Sequence, residues 1–311
     1  MPSPKIVLTG AAGLVGQNLV PRLKARGYDR IVAIDKHPAN TATLRRLHPD
    51  ITVIAADLAT SNDWQSAVAD ADVAIIAHAQ IGGLDPAAFA ANTVAATRRL
   101  VEALRPRAPT VVHISSSVVN SAADDLYTQS KEEQEQLMLA SGLPVVVLRP
   151  TLMFGWFDRK HLGWLARFMQ RTPVFPIPGR GRYLRQPLYV GDVCDIIMAC
   201  IERRPQQQAY NITGLERIDY IDLIRAIKAV THARAALVPI PYGLFWLLLY
   251  GYGRVRDDPP FTTQQLEALA TPDIFEVIDW PGIFGVRPTP FRAALEQTFN
   301  DPVYSKIVLE F

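Results

Sequence analysis

Short apolar runs recur through the first half of the chain, and each is followed by a longer amphipathic or Ala-rich stretch. This alternation is typical of βαβ units, in which a helix carries the chain back across a parallel sheet. The runs are continuously apolar, which favours strands that are buried on both faces. The predicted strands are Ile6–Leu8, Ile31–Ile34, Thr52–Ile54, Val73–Ala77, Val111–Ile114 and Val145–Leu148. The predicted helices are Leu14–Arg26, Asp63–Ala69, Pro86–Leu104 and Asp125–Ala140, the first of them kinked or loosened by Pro21.

The pattern changes after Pro150, where prolines, glycines and aromatic residues become frequent. A helix at Asp192–Glu202 and a strand at Ala209–Ile212 are still predicted to join the sheet. The sequence therefore predicts a Rossmann-type, doubly wound α/β fold with a smaller C-terminal lobe. The expected division is a dinucleotide-binding domain of residues 1–150, to which 187–213 return, and a substrate lobe of residues 151–186 and 214–311.

Composition excludes several classes of protein. Apolar residues make up 49% of the 311 residues and charged residues 20%, with a net charge of +2, so neither disorder nor nucleic-acid binding is expected. The two cysteines, Cys194 and Cys200, and the scattered histidines predict no disulfide framework and no metal site. A buried strand is already predicted within Lys5–Thr9 and no apolar stretch reaches about 18 residues, so we expect neither a signal peptide nor a membrane span. We expect a cytoplasmic protein that acts on a small molecule.

A glycine-rich loop follows the first predicted strand and opens the first predicted helix. Gly10 permits a tight turn, Gly13 lets the backbone approach a pyrophosphate, and Gly16 lets helix and strand pack closely. The amides at a helix N-terminus attract negative charge, so this context favours a dinucleotide site over a turn without a ligand. The remaining candidate contacts of this loop are Ala12, Leu14 and Val15.

Asp35 ends the second predicted strand, about 20 residues beyond the glycines. A carboxylate there accepts both hydroxyls of the adenosine ribose and repels a 2′-phosphate, which favours NAD as the cofactor. Lys36 and His37 partly offset that repulsion and leave NADP as the alternative. Asp57 and Leu58 follow the third strand and are candidates to meet the adenine, although Asp57 equally suits the cap of a turn.

A candidate hydride-transfer site follows the fifth strand. Ser115, Ser116 and Ser117 end that strand, and Tyr127 and Lys131 begin the next helix. Because Tyr127 and Lys131 are one helical turn apart, they share a face, and the ammonium is expected to lower the pKa of the phenol and to hold the nicotinamide ribose. A serine hydroxyl would steady the substrate oxygen. The alternative is a helix start that carries a surface lysine.

Several further motifs accompany these residues. They are Thr9–Gly16, Asn92–Thr97, Leu148–Pro150, Pro178–Gly179, Arg185–Val193 and Phe284–Pro290. With Ser115–Ser117, Tyr127 and Lys131, they make nearly the whole chain resemble the extended short-chain dehydrogenase/reductase family, the NAD-dependent epimerases and dehydratases that act largely on nucleotide sugars.

The resemblance implies that Tyr127 is the catalytic acid and base and Lys131 its partner. It favours Ser116 as the catalytic serine and keeps Ser117 as the alternative. It implies a homodimer formed through the helices Pro86–Leu104 and Asp125–Ala140. The cofactor contacts expected in addition are Ala77, His78, Ala79, Asn92, Ile114, Pro150 and Leu152, with a packed core histidine as the alternative for His78. The substrate contacts expected are Gln80, Ser117, Arg185 and Arg254.

The chain also departs from the family pattern. Asn120 and Ser121 replace the usual Tyr-Gly, and the segment from there to Tyr127 is short, which alters the wall over the substrate. Ser116–Val118 stands where the 4,6-dehydratases carry Thr-Asp-Glu, so the acid pair for water elimination is missing and dehydration is disfavoured. Arg185 matches an arginine that clamps the substrate diphosphate, and the alternative is an ion pair with Asp192 or Asp195.

Three functions are therefore compared. The favoured one is an NAD-dependent epimerase of a nucleotide-linked sugar, which acts by transient oxidation of a secondary hydroxyl. The second is an NAD(P)-dependent dehydrogenase or reductase of an apolar hydroxyl compound such as a steroid-like alcohol. Aromatic residues between Phe154 and Phe168 support this hypothesis. The third is a non-catalytic NAD(P)H-binding subunit, which is disfavoured because the Tyr and the Lys are both present.

The segment Tyr242–Tyr252 is apolar on every helical face. A surface helix of a soluble domain should have a polar face, so we expect this segment to be buried in the second lobe. The sharper hypothesis places it at a membrane face, with Arg254 and Arg256 on anionic head groups and a polyprenyl-diphosphate-linked sugar as substrate.

Overall fold

In the computed structural model, the described residues are 3–121, 125–203, 207–255, 263, 266–267 and 275–310. The centre is a seven-stranded sheet. Its strands are β1 (Ile6–Thr9), β2 (Ile31–Asp35), β3 (Thr52–Ala55), β4 (Val73–Ile76), β5 (Thr110–Ile114), β6 (Val145–Pro150) and β11 (Ala209–Ile212). The short strands are β7 (Met153–Phe154), β8 (Val174–Pro178), β9 (Leu184–Arg185), β10 (Leu188–Tyr189), β12 (Ile218–Asp219) and β13 (Ala236–Ile240).

The helices up to the middle of the chain are α1 (Leu14–Ala25), α2 (Pro38–Leu47), α3 (Gln65–Val68), α4 (Pro86–Phe89), α5 (Ala96–Leu104) and α6 (Leu126–Leu139). The later ones are α7 (Leu162–Arg171), α8 (Val190–Arg203), α9 (Tyr220–Val230), α10 (Tyr242–Val255), α11 (Trp280–Phe284) and α12 (Phe291–Asn300). α1 continues through Pro21. No helix was predicted from the sequence at α2, α7, α9, α11 and α12. α2 buries a single large apolar side chain, Leu44, so its periodic signal is weak.

The order of the central sheet is β11-β6-β5-β4-β1-β2-β3, and every neighbouring pair is parallel. This is the Rossmann-type sheet that the apolar runs predicted, and β11 adds beside β6 as expected. The strand order reverses between β1 and β4, and in such sheets ligands bind at that point, outside the carboxyl ends of the strands. The glycine loop after β1 and the segments after β4 and β5 all meet at this edge.

The central strands are buried, as continuous apolar runs imply, but β3 is not. Thr52 and Ala55 are exposed because β3 is the last strand of the sheet and pairs with β2 on one edge only. The prediction of a buried central strand was wrong for this element.

The predicted helix Pro86–Leu104 contains a π-helical segment, Ala90–Ala95, between α4 and α5. π-helical turns widen a helix locally and are frequent at functional sites. Here the wide turn carries Asn92 and Thr93 towards Gln80: the Gln80 amide donates to Thr93 Oγ1 at 3.0 Å, and Asn92 Nδ2 donates to Gln80 Oε1 at 2.7 Å.

α10 differs from the expectation that this apolar segment is buried. Leu244, Leu247 and Leu248 are 50%, 59% and 56% exposed, whereas Phe245 is buried and Trp246 is half-buried. The helix therefore packs along one narrow side only, and the interpretation as a core helix was wrong. Among the described residues, no helix is long and apolar enough to cross a membrane.

Candidate active site

The glycine loop is shaped by close backbone contacts. Gly10 has a φ of +65°, and a Cβ there would lie 2.5 Å from the carbonyl oxygen of Ala77. A Cβ at Gly16 would lie 2.3 Å from the carbonyl oxygen of Ala11. The first contact brings the loop against the end of β4, and the second lets α1 pack closely on the turn that precedes it. Both positions therefore require glycine, as the motif predicted.

The N-terminus of α1 is open to an anion. Gly13 caps the helix without a side chain that accepts its first amides, and no acidic residue lies in the first turn, which includes Leu14 and Val15. The first amides of a helix have no intrahelical acceptor, and the helix dipole places partial positive charge there. This donor set fits the pyrophosphate of a dinucleotide.

Asp35 is held at the same edge. Its Oδ2 accepts from the Ala12 amide at 2.9 Å, and its Oδ1 accepts from the His37 amide at 2.9 Å. Lys36 Nζ donates to Asn92 Oδ1 at 2.6 Å and to Asp57 Oδ2 at 3.3 Å. The Lys36 ammonium therefore already donates hydrogen bonds to the side chains of Asn92 and Asp57.

Asp57 caps a turn, because its Oδ1 accepts from the Ala59 amide at 2.8 Å. This is the structural alternative that the sequence left open for Asp57. Leu58 beside it is buried. Contact of either residue with adenine stays a prediction.

We expect the protein to bind NADH more tightly than NADPH, because the Asp35 carboxylate repels a 2′-phosphate and the Lys36 ammonium is engaged by Asn92 and Asp57. Asp35→Asn should weaken NADH by about tenfold, the loss of a hydrogen bond to a charged group, and should improve NADPH. Fluorescence titration with both cofactors measures this, with Asp63→Asn on the exposed turn before α3 as the control. Equal affinities in the wild type would make Lys36 and His37 phosphate ligands instead.

Ser116 and Tyr127 meet at the carboxyl end of β5. Ser116 caps a short 3-10 helix, Ser117–Asn120, by accepting from the Val118 amide, and its hydroxyl lies close enough to the Tyr127 phenol to influence the pKa of that group. Burial raises the pKa of Tyr127, and the hydrogen bond from Ser116 acts in the opposite direction. Of the two serines that the sequence left open, Ser116 is the one that contacts Tyr127.

Lys131 is more deeply buried than Tyr127. It is 2% exposed, and its ammonium donates to the Ile114 carbonyl at 2.9 Å and to Gln134 Oε1 at 2.5 Å. Burial lowers the pKa of Lys131 to about 7, with the charge of Glu135 acting against that shift. The expectation that this ammonium lowers the pKa of the Tyr127 phenol was wrong for this arrangement, because burial raises that pKa and the groups that act on it besides burial are Ser116 and Asp125.

A buried polar cluster that sequence reasoning missed supports this helix. Glu135 accepts from Ser115 Oγ at 2.6 Å and from Arg149 Nε at 3.1 Å, and Arg149 Nη2 forms a further contact with it. The cluster joins the ends of β5 and β6 to α6. Its signal in the sequence is an arginine at the end of an apolar strand and a glutamate one turn after Lys131.

The other predicted cofactor contacts lie along the same edge. His78 is half-buried, and burial lowers its pKa to about 3, so its imidazole is neutral, whereas its contact with the cofactor stays a prediction. Pro150 ends β6, and Leu152 follows it on the surface. The backbone of Ala77, with Ala79 two residues on, continues directly from β4.

The predicted substrate arginines lie in the C-terminal half. Arg185 is on β9, which pairs with β12, and its charge acts against the raised pKa of the buried Tyr220. Asp192, one of its two suggested partners, instead accepts from the amide and hydroxyl of Thr289. Arg254 donates to the Tyr250 hydroxyl on its own helix, whereas Arg256 lies outside the described residues.

A parallel sheet with a glycine loop at its switch point, and a Ser–Tyr pair with a lysine beside it, define a dinucleotide-dependent oxidoreductase fold. The family model described as NAD dependent epimerase/dehydratase family matches residues 6–213. The chain belongs to this family of NAD-dependent enzymes, and NAD is its cofactor.

Curated relatives and solved structures agree with this assignment. The chain is 21% identical to UDP-glucose 4-epimerase of Vibrio cholerae, over 81% of this chain and 84% of the relative. It is 23% identical to ceramide reductase of Caulobacter vibrioides (strain NA1000 / CB15N), over 76% of this chain and 73% of the relative. The crystal structure of UDP-glucuronic acid 4-epimerase from Bacillus cereus in complex with NAD has the same fold, with a TM-score of 0.72 at 20% identity over 97% of this chain and 99% of that one.

Proposed function

We propose that the protein is an NAD-dependent epimerase of a nucleotide-linked sugar. The observation that carries the proposal is the contact of Ser116 with the half-buried Tyr127, one helical turn before Lys131, at the edge that also holds the glycine loop. The similarity to UDP-glucose 4-epimerase over most of both chains supports a nucleotide sugar as the substrate. The absent Thr-Asp-Glu triplet argues against dehydration.

Each residue has a chemical role in this proposal. Bound NAD supplies the reversible uptake of hydride from a carbinol carbon. Ser116 hydrogen-bonds the substrate oxygen, and Tyr127 takes the hydroxyl proton and returns it to the keto oxygen. Because burial raises the pKa of Tyr127, the phenol must first lose its proton before it can take the proton of the substrate hydroxyl, and the neutral phenol so formed donates that proton in the return step. Lys131 holds the nicotinamide ribose.

The proposal predicts that cofactor stays bound through turnover. Protein denatured after purification should release NAD, because an epimerase needs no exchange of cofactor. A UDP-sugar deuterated at the reacting carbon should give a product that keeps the deuterium, even with excess unlabelled NAD in solution. Deuterium that appears in free NADH would contradict the epimerase proposal and indicate a net dehydrogenase.

We further expect Arg185 to hold the substrate diphosphate, because a guanidinium presents a fork of donors that matches phosphate oxygens. Arg185→Ala should weaken UDP by about 10- to 150-fold, which corresponds to roughly 1.5–3 kcal/mol for a hydrogen bond to a charged group. NAD affinity should not change. The control is Arg182→Ala, since exposed Arg182 is held by Asp219 and Asp222 nearby. Calorimetry that shows equal UDP affinity in both variants would exclude the diphosphate role.

The exposed side of α10 favours a second candidate, a substrate carried in a membrane, either a polyprenyl-diphosphate-linked sugar or an apolar alcohol. Leu244, Leu247 and Leu248 form an apolar ridge, and Tyr242 and Tyr252 stand near its two ends. Leucine ridges flanked by tyrosine suit the interface of a bilayer. The similarity to ceramide reductase supports the apolar alcohol.

Vesicle binding distinguishes this candidate. Wild type should sediment with phosphatidylglycerol/phosphatidylcholine vesicles, and a Leu247→Ser, Leu248→Ser variant should remain in the supernatant, since both side chains face solvent and their loss spares the core. Leu84→Ser with Leu139→Ser removes two exposed leucines elsewhere and is the control. Wild type that stays in the supernatant would exclude the membrane candidate and leave the nucleotide sugar.

The homodimer through α4–α6 also remains a proposal, which light scattering tests.

A further inference from the structure

The Lys131 ammonium is held by the protein on two sides. Its two acceptors are the backbone carbonyl of Ile114, at 2.9 Å, and the side-chain oxygen of Gln134, at 2.5 Å. Gln134 lies three residues further along α6 and is fully buried. An ammonium has three N–H donors, so two are used within the protein and one is left.

The amide orientation of Gln134 is determined by its other contacts. Its Nε2 donates to the Thr97 hydroxyl at 2.9 Å and to the His78 carbonyl at 3.1 Å. The Thr97 hydroxyl donates its hydrogen to the Thr93 carbonyl at 2.7 Å. It can therefore only accept a hydrogen bond from Gln134. Both amide hydrogens are thereby used, and the oxygen of Gln134 must face Lys131.

The same logic extends to the strand before the glycine loop. His78 Nε2 lies 3.0 Å from the Thr97 hydroxyl, which accepts, so Nε2 carries the proton. His78 Nδ1 therefore accepts from the Thr9 hydroxyl, at 2.8 Å. Burial keeps His78 neutral, which this arrangement requires. A chain of hydrogen bonds, part-buried at His78 and buried between Thr97 and Lys131, thus runs from Thr9 on β1 to Lys131 on α6.

We propose that Gln134 is the positioning residue for Lys131, which holds the ammonium against the Ile114 carbonyl and leaves its third N–H for the nicotinamide ribose of NAD. This inference rests on the cofactor role of Lys131 in the proposed function. It adds that Gln134, locked by Thr97 and His78, decides where the ammonium lies and how readily it keeps its proton.

The other charged and titratable groups around Lys131 do not take the place of Gln134 as the side-chain acceptor of its ammonium. Glu135, on the same helix, already accepts from Ser115 and Arg149. His78 and His113, which face Lys131 from the sheet, are kept neutral by burial and by its charge. Gln134 is thus the side chain that directly accepts from an ammonium whose pKa lies close to neutral pH.

Substitution of Gln134 should move the titration of Lys131 in opposite directions. Gln134→Glu places a negative charge at the ammonium and should raise the midpoint by about one pH unit or more, and Gln134→Leu removes the acceptor and should lower it. The measurement is NMR of lysine-labelled apoprotein, with the Lys131 signal assigned by its loss in Lys131→Met. The matched controls are Gln136→Glu and Gln136→Leu, since Gln136 is exposed on the same helix.

NADH affinity provides the second readout. Gln134→Leu and Lys131→Met should both weaken NADH by about tenfold, whereas the Gln136 variants should bind like wild type. Thermal unfolding of each variant checks that it folds, and Gln134→Glu, which keeps the side-chain shape, gives the opposite titration shift if Gln134→Leu does not fold.

Two failures are distinguishable. Titration midpoints and NADH affinities in the Gln134 variants that match those of the Gln136 variants would overturn the positioning role of Gln134 alone. Unchanged NADH affinity in Lys131→Met would overturn the cofactor role of Lys131 on which the proposed function also relies.

Discussion

Tyr127→Phe is expected to lower turnover by about 10²- to 10⁴-fold, the range of general acid–base catalysis, while NADH affinity stays nearly unchanged. The reason is that the proposed function has the phenol oxygen, which lies beside Ser116, exchange the proton with the substrate, and has the glycine loop and Asp35 bind the cofactor. Steady-state kinetics on a UDP-sugar and fluorescence titration with NADH separate the two effects.

The control is Tyr28→Phe. Tyr28 is half-buried just before β2, at the amino end of the sheet and away from the glycine loop, so its hydroxyl can be removed without touching the site. Normal turnover in Tyr127→Phe would mean that the Tyr–Lys spacing is a coincidence. It would restore the hypothesis of a non-catalytic NAD(P)H-binding subunit.

Glu135→Ala is expected to lower the free energy of unfolding by about 3–5 kcal/mol, because it leaves the Arg149 guanidinium partly buried without its carboxylate. Domains are stable by only about 5–15 kcal/mol, so this loss is a large fraction of the total. It should also release Ser115 at the end of β5 and so disturb the neighbouring Ser116. Urea unfolding followed by tryptophan fluorescence measures the change.

The chain offers a matched control for this variant. Glu133 lies on the same helix but is exposed, and its carboxylate is as far as 4.0 Å from the guanidinium of exposed Arg98. This ion pair is weak, so Glu133→Ala should lower the free energy of unfolding by less than about 1 kcal/mol. The double variant Glu135→Leu, Arg149→Met should recover part of the loss, since it removes both buried charges together. If Glu135→Ala were as stable as Glu133→Ala, the buried cluster would not stabilise α6.

The sequence by itself determined the features that depend on local spacing. The parallel sheet follows from continuous apolar runs separated by helical stretches, and the predicted and observed central strands agree to within two residues at either end. The glycine loop, Asp35 and the Tyr127–Lys131 pair were also found from spacing, since three or four residues fix a turn or one helical face.

Only the tertiary structure decided what depends on which elements pack together. The choice of Ser116, the raised pKa of Tyr127 and the acceptor role of Gln134 follow from how β5 and α6 meet, and no local pattern encodes that contact. The exposure of α10 also depends on which elements pack together, because an apolar pattern on all faces of a helix does not indicate whether another element covers it. Burial is a property of the assembled layers: it sets the pKa of Lys131 and the neutrality of His78, and it is low at β3 because that strand lies at the edge of the sheet.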